Sequence, residues 1–284
     1  MLLLLSVAAS QETKRPPITA ISHVAFYSSS PAAAKQFYVD LLGLEPGSRE
    51  GLYLVGQQSI EAEAEEPPEP PSLLSHIAFA TPDAEGMLRF LKSRGVQVAG
   101  EVRKESNGTQ WFALRDPEDQ TIEFVQEKTT RRPQPRTLSS QIIHAGFVVR
   151  DRAATDKFYR DILGFRLYWS GGMEEGRTDW VAMQVPDGRQ WIEYMMTEKE
   201  AKPSAQLLGV LNHVSLGVSD IKATTKRLRE RGWNPKEEGE PQMGKDGKWQ
   251  LNVYDPDGTR IEFMEFKPVE KPCCSPFTGP HPEE

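Results

Sequence analysis

Ile21-Ser22-His23-Val24-Ala25-Phe26 is a short β-rich run carrying one histidine, and three variants of it follow along the chain. They are Leu74-Ser75-His76-Ile77-Ala78-Phe79, Ile143-His144-Ala145-Gly146-Phe147 and Leu211-Asn212-His213-Val214-Ser215-Leu216. Each reads as a strand with two unlike faces. A helical stretch follows each run, over 31–42, 84–94, 152–163 and 221–231, and each ends at a glycine: Gly43, Gly95, Gly164 and Gly232. Glycine just past the last periodic residue is the expected helix stop. Four copies of one unit therefore make up the chain.

The copies are not equivalent. Phe37-Tyr38-Val39-Asp40-Leu41-Leu42-Gly43 in the first matches Phe158-Tyr159-Arg160-Asp161-Ile162-Leu163-Gly164 in the third. In the second, Asp116-Pro117-Glu118-Asp119 leads into Thr121-Ile122-Glu123-Phe124; in the fourth, Asp255-Pro256-Asp257-Gly258 leads into Arg260-Ile261-Glu262-Phe263. The Asp-Pro pieces read as tight turns before a strand, and the Phe-Tyr pairs as core staples. The order A-B-A′-B′ predicts two similar domains, which suits 284 residues at roughly 100–200 per domain.

Each unit also ends in an Ile-Glu pair: Ile60-Glu61, Ile122-Glu123, Ile192-Glu193 and Ile261-Glu262. His144 to Glu193 and His213 to Glu262 are both 49 residues apart, His76 to Glu123 is 47, and His23 to Glu61 only 38. The short first unit predicts the loss of about one strand's worth of chain. If Val214, Ile261 and Phe263 pack under the helix, alternation sends His213 and Glu262 to the opposite, concave face. Buried carboxylates without a partner are costly, and imidazoles with carboxylates suit a divalent metal that keeps open positions.

With these residues in place, the chain resembles the vicinal oxygen chelate superfamily, which includes glyoxalase I, extradiol dioxygenases, and fosfomycin- and bleomycin-resistance proteins. The resemblance covers about residues 18–267. It implies an α+β fold in which four βαβββ modules form two glyoxalase-like half-open barrel domains, paired sequentially or by exchange. It implies a divalent metal (nickel, cobalt, zinc, manganese or iron) on His144, Glu193, His213 and Glu262. A second, weaker set is His23, Glu61, His76 and Glu123. It also implies a small-molecule substrate.

Three functions fit such a site. The first is a glyoxalase I-like lyase or isomerase acting on a small α-oxo or vicinal-oxygen substrate, with Glu193 or Glu262 as the catalytic general base; Arg160, Arg177 and Arg189 are the only basic candidates for a glutathione carboxylate. The second is an extradiol-type dioxygenase using the triad His144, His213 and Glu262. Against it, 242–252 holds no His and Tyr254 stands next to Asp255 rather than three residues ahead of it. The third is a non-catalytic binding or resistance protein. Trp191, two residues before Glu193, would then face the cavity and stack on a flat ligand.

The remainder of the chain sets limits. With 34 basic and 41 acidic residues the net charge is −7, which argues against nucleic acid and anionic membrane as partners; a monomer or homodimer is expected. Residues 1–17 form a leader, in which Met1-Leu2-Leu3-Leu4-Leu5-Ser6-Val7-Ala8-Ala9-Ser10 resembles the end of a signal peptide cut near Ala8 to Ser10. That predicts secretion or a periplasmic location, with the cytoplasm as the other reading. The domains are expected at 18–127 and 140–268, with a linker at 128–139. The tail, 269–284, is Pro-rich, holds both cysteines (Cys273 and Cys274), and is expected to be disordered.

Overall fold

The computed structural model describes residues 13–65, 72–128, 137–174, 176–198, 202–235 and 239–283. Most of the leader and most of the linker lie outside the described residues.

Each module runs strand, helix, three strands. The first has β1 (Ala20–Tyr27), α1 (Pro31–Lys35), β2 (Glu45–Pro46), β3 (Leu52–Val55) and β4 (Gln58–Glu63). The second has β5 (Leu74–Ala80), α2 (Ala84–Ser93), β6 (Arg103–Lys104), β7 (Gln110–Arg115) and β8 (Thr121–Gln126). The third has β9 (Ile142–Val149), α3 (Arg152–Asp156), β10 (Arg166–Gly171), β11 (Trp180–Gln184) and β12 (Trp191–Met196). An unforeseen short helix, α4 (Ala205–Leu211), precedes the fourth module: β13 (His213–Val218), α5 (Ile221–Glu230), β14 (Gln242–Met243), β15 (Trp249–Tyr254) and β16 (Arg260–Glu265).

Modules pair sequentially. One eight-stranded sheet has the order β2-β3-β4-β1-β5-β8-β7-β6, the other β10-β11-β12-β9-β13-β16-β15-β14. In each, the two histidine strands lie antiparallel at the centre, and each runs parallel to its own module's glutamate strand. The first module keeps all its strands, which corrects the expected loss. Its shortfall lies in β2, of two residues against six in β10, and in tighter loops.

Helix starts follow their caps: the side chains of Ser30, Asp83, Asp151 and Asp220 each accept a backbone N–H three residues on. After α1 and α3 the chain widens into a π turn, with Leu42 N–H donating to Phe37 C=O at 2.9 Å and Leu163 N–H to Phe158 C=O at 3.0 Å. Phe37, Tyr38, Phe158 and Tyr159 are all buried, as the staple reading expects.

The tyrosine hydroxyls do more than fill space. Tyr38 Oη donates to Asp255 at 3.1 Å and Tyr159 Oη to Asp116 at 2.9 Å. Each helix thus reaches across to the Asp-Pro turn of the other domain, and the two domains share one apolar core. The other oxygen of each aspartate closes its own turn, accepting from Glu118 and Gln120 N–H in one case and from Asp257 and Thr259 N–H in the other. Burial pushes both carboxyls up to about 6, against the bound N–H and O–H groups that favour the charged form. Both hold protons more tightly folded than unfolded. Their contribution to stability is therefore fully present below about pH 4 and is lost as the pH rises through 6. Tyr159→Phe should cost about 1.5–3 kcal/mol at pH 8, where Asp116 is charged, and about 0.5–1.5 at pH 4.5, where it is neutral. Urea unfolding at the two pH values checks this, and an equal cost at both would refute it.

The tail corrects the expectation of disorder. It runs as a strap along β10, the edge strand of its sheet. Cys273 C=O accepts from Trp169 Nε1 at 3.2 Å, Thr278 N–H donates to Tyr168 C=O at 3.0 Å, and Pro280 C=O accepts from Gln184 Nε2 at 2.8 Å. Cys273 and Cys274 form a disulfide with each other. Proline bars a helix here but not an extended strap, and an edge strand offers unpaired backbone groups for it to cover. Among the described residues, no helix is long and apolar enough to cross a membrane.

Candidate metal centre

In the second domain the central strands bring four donors to the concave face. His144 stands on β9 and His213 opens β13; the register sets Glu193 across from Gly146 and Glu262 across from Ser215. His144 and His213 are wholly buried and Glu262 is 3 % exposed. The two Nε2 atoms are 2.9 Å apart, and Glu262 Oε2 lies 3.2 Å from His144 Nε2. Glu193 Oε2 is 3.5 Å from His213 Nε2 and 3.9 Å from His144 Nε2. His213 Nδ1 donates to Leu211 C=O at 2.9 Å, so its bare nitrogen is the one facing the cup.

These donors fit a divalent ion. Two ligands at right angles on bonds of about 2.1 Å stand about 3.0 Å apart, close to the separation found. Glu262 Oε2 is buried without a hydrogen-bond partner. Burial lowers both imidazoles and raises both carboxyls, Glu193 to about 8 with Glu262 adding to the rise. A cation reverses both penalties, because it binds neutral imidazole and charged carboxylate.

Gly146 makes the site possible. A Cβ there would come within 2.0 Å of the His213 ring. Gly146→Ala should push that ring aside and weaken metal affinity on the order of 10–100-fold, the cost of disturbing a ligand's orientation; competition against a chromophoric chelator measures it, and unchanged affinity would show that the ring does not coordinate.

The first domain repeats the pattern more loosely. His23 and His76 Nε2 are 3.0 Å apart, and Glu123 lies 3.7 and 3.8 Å from them. Glu61 reaches this cup but is paired with Arg49, while Glu63 adds a carboxylate beside His76. Burial pushes Glu123 up to about 7, with Glu61 and Glu63 contributing, and pushes His76 down to about 4. This cavity is about 510 Å³, and the second is about 270 Å³.

Trp191 faces the second cup but offers no free surface, which corrects its expected role in stacking on a ligand. It is 2 % exposed, stacks on His144 with ring centres 4.8 Å apart, and has Lys248 Nζ 4.4 Å from its ring centre. It orients His144, while Trp169 and Trp180 line the cavity. Arg160, Arg177 and Arg189 are paired with Asp161, Asp179 and Glu283, and none lines this cavity. Sequence reasoning missed two cations here. Arg260 lines the cavity; its place two residues before Glu262 on one strand was the available signal. Lys248 is wholly buried behind the cup among Tyr168, Trp191 and Phe277, and it carries no motif.

Comparison with known proteins bears on the family and the fold. The model of the Glyoxalase/Bleomycin resistance protein/Dioxygenase superfamily matches residues 20–124 and 141–263, one segment per domain. Lactoylglutathione lyase of Haemophilus influenzae is 32% identical over 127 residues, 45% of this chain and 93% of that protein. Homoprotocatechuate 2,3-dioxygenase from Arthrobacter globiformis superposes with a TM-score of 0.65 at 18% identity, covering 92% of this chain and 83% of that one. The E323L mutant of the Brevibacterium fuscum enzyme gives 0.65 at 19%, covering 90% and 74%. Two matched segments, two eight-stranded sheets and two His-Glu cups place the chain in the Glyoxalase/Bleomycin resistance protein/Dioxygenase superfamily.

Proposed function

We propose that the second cup is the active site of a metal-dependent enzyme that moves a proton between neighbouring carbons of a small substrate bearing two adjacent oxygens. One observation carries this reading: Glu193 stands as a fourth donor beside the tight group of His144, His213 and Glu262, and it lines the cavity. A divalent ion held by these donors would polarise both substrate oxygens. The two histidines would hold it as neutral imidazoles, with Glu262 supplying charge. Glu193, beside both histidines and lining the cavity, is placed to take a proton from one carbon and return it to the next. Trp169, Trp180 and Met264 wall the cavity against water. The likeness to lactoylglutathione lyase supports this class of reaction.

Glu193→Gln keeps His144, His213 and Glu262, so it should bind nickel or cobalt more weakly yet still load at excess metal. It should slow α-oxo aldehyde isomerisation in the presence of a thiol about 10²–10⁴-fold, the usual worth of a general base. Unchanged turnover would remove Glu193 from the reaction. Ring cleavage is the second reading, because His144, His213 and Glu262 alone form a two-histidine, one-carboxylate set within 4.8 Å. Iron-dependent oxygen uptake with catechols would favour it.

A further inference from the structure

Arg260 enters the second cavity on the same strand face as Glu262. Its Nε is buried without a hydrogen-bond partner, and the carboxylates that feel its charge are Glu193 and Glu262, the two that a metal ion would claim. Arg260 as a whole is half-buried, but a buried N–H left in this state costs free energy unless something completes it.

The charge balance of the cup says what that should be. Two neutral imidazoles, two carboxylates and a divalent ion sum to zero. Asp246 and Lys248 offset each other at 3.9 Å. Arg260 remains, with Lys245 beside it on the cavity wall, so the metal-loaded cup carries a positive surplus. The first cup is the reverse. Thr121 stands where Arg260 does, since each pairs with the last residue of the preceding strand. Its wall carries Glu61, Glu63, Glu105 and Glu123 against Arg49. A divalent ion there leaves an acidic surplus.

We infer that Arg260 makes the second cup selective for a substrate that carries a carboxylate or similar anion apart from its two chelating oxygens, and that the first cup lacks this selectivity. This rests on the metal reading of the second cup. Arg260 and Glu262 stand two residues apart on one strand face, about 6–7 Å along it, so the anion binds beside the chelated oxygens rather than in their place. Guanidinium binds carboxylate through two parallel N–H donors, which gives direction as well as charge.

The test uses full-length protein loaded with zinc, which has no redox chemistry of its own. The probes are two O,O-chelators of equal shape, 4-carboxybenzohydroxamate and its neutral 4-carbamoyl counterpart, titrated calorimetrically. The carboxylate should bind the wild type about 10–100-fold more tightly, at one equivalent per chain in the tight phase. Arg260→Gln should erase that preference while leaving zinc content and affinity for the neutral probe unchanged; Arg260→Lys should keep part of it. No preference in the wild type, no binding of the carboxylate probe, or equal weakening of both probes by Arg260→Gln would overturn the inference while leaving the metal site standing. Failure of the wild type to hold zinc in the second cup would overturn the metal reading and this inference with it.

Discussion

Adding a divalent ion to the metal-free protein should raise its melting temperature by about 5–10 °C at a hundredfold excess over the dissociation constant, and Glu262→Gln should remove most of the rise. Binding to the folded state alone contributes about 2.7 kcal/mol at that excess, and each kcal/mol moves the melting point of a chain this size by about 2–4 °C. The direction follows from the cup. His144, His213 and Glu262 are packed where each prefers to be neutral, so folding without the ion carries desolvation costs that the ion offsets. His76→Ala, in the first cup, is the control that separates the two sites. A shift of full size in Glu262→Gln would place the stabilising ion elsewhere.

Lys248→Ala should destabilise the protein by about 3–5 kcal/mol near pH 7, whereas Lys248→Met, which also unpairs Asp246 but fills the space, should cost about 2 kcal/mol less. Truncation leaves a hole among Tyr168, Trp191 and Phe277 and strips a buried partner from Asp246. Methionine fills the same space without a charge. The pair itself is weak: burial lowers Lys248 to about 8 and raises Asp246, so desolvation outweighs their attraction for both partners. An amine with a depressed folded pKa binds its proton less tightly folded than unfolded. Its penalty is fully present below about pH 8 and is relieved as the pH rises toward 10.5. The wild type should therefore gain on Lys248→Met by a few kcal/mol between pH 8 and 10.5. Parallel stability profiles of the two proteins across that range would refute the assignment.

The repeat pattern was legible because period-2 alternation and helix-stop glycines are local signals. His23, His76, His144 and His213 stand at one phase of four strands, and strand geometry alone aims them into the cups. Contacts joining distant parts of the chain left no such mark. Gln58, on β4, holds the N–H and C=O of Ile142 and the C=O of Ile21, yet in sequence it is one polar residue in a turn. The strap was misread because proline content reports the absence of helix, not the absence of docking; its anchors are single groups such as Phe277 and Pro280 C=O. Arg260 was visible and passed over, since a charged residue near a strand end usually faces solvent.

The bond from Tyr38 to Asp255 spans 217 positions of chain, and this bears on how the protein is made. At roughly 5–20 residues per second, ribosomal synthesis of that interval takes about 10–40 s. For the later part of it, after the first domain has been made, that domain waits with one side of its core uncovered, because Phe165, which packs on Phe79, and the last Asp-Pro turn come from the later half. The N-terminal half is therefore the natural client for a chaperone on nascent chains, and its release should follow emergence of the fourth module rather than completion of the first domain.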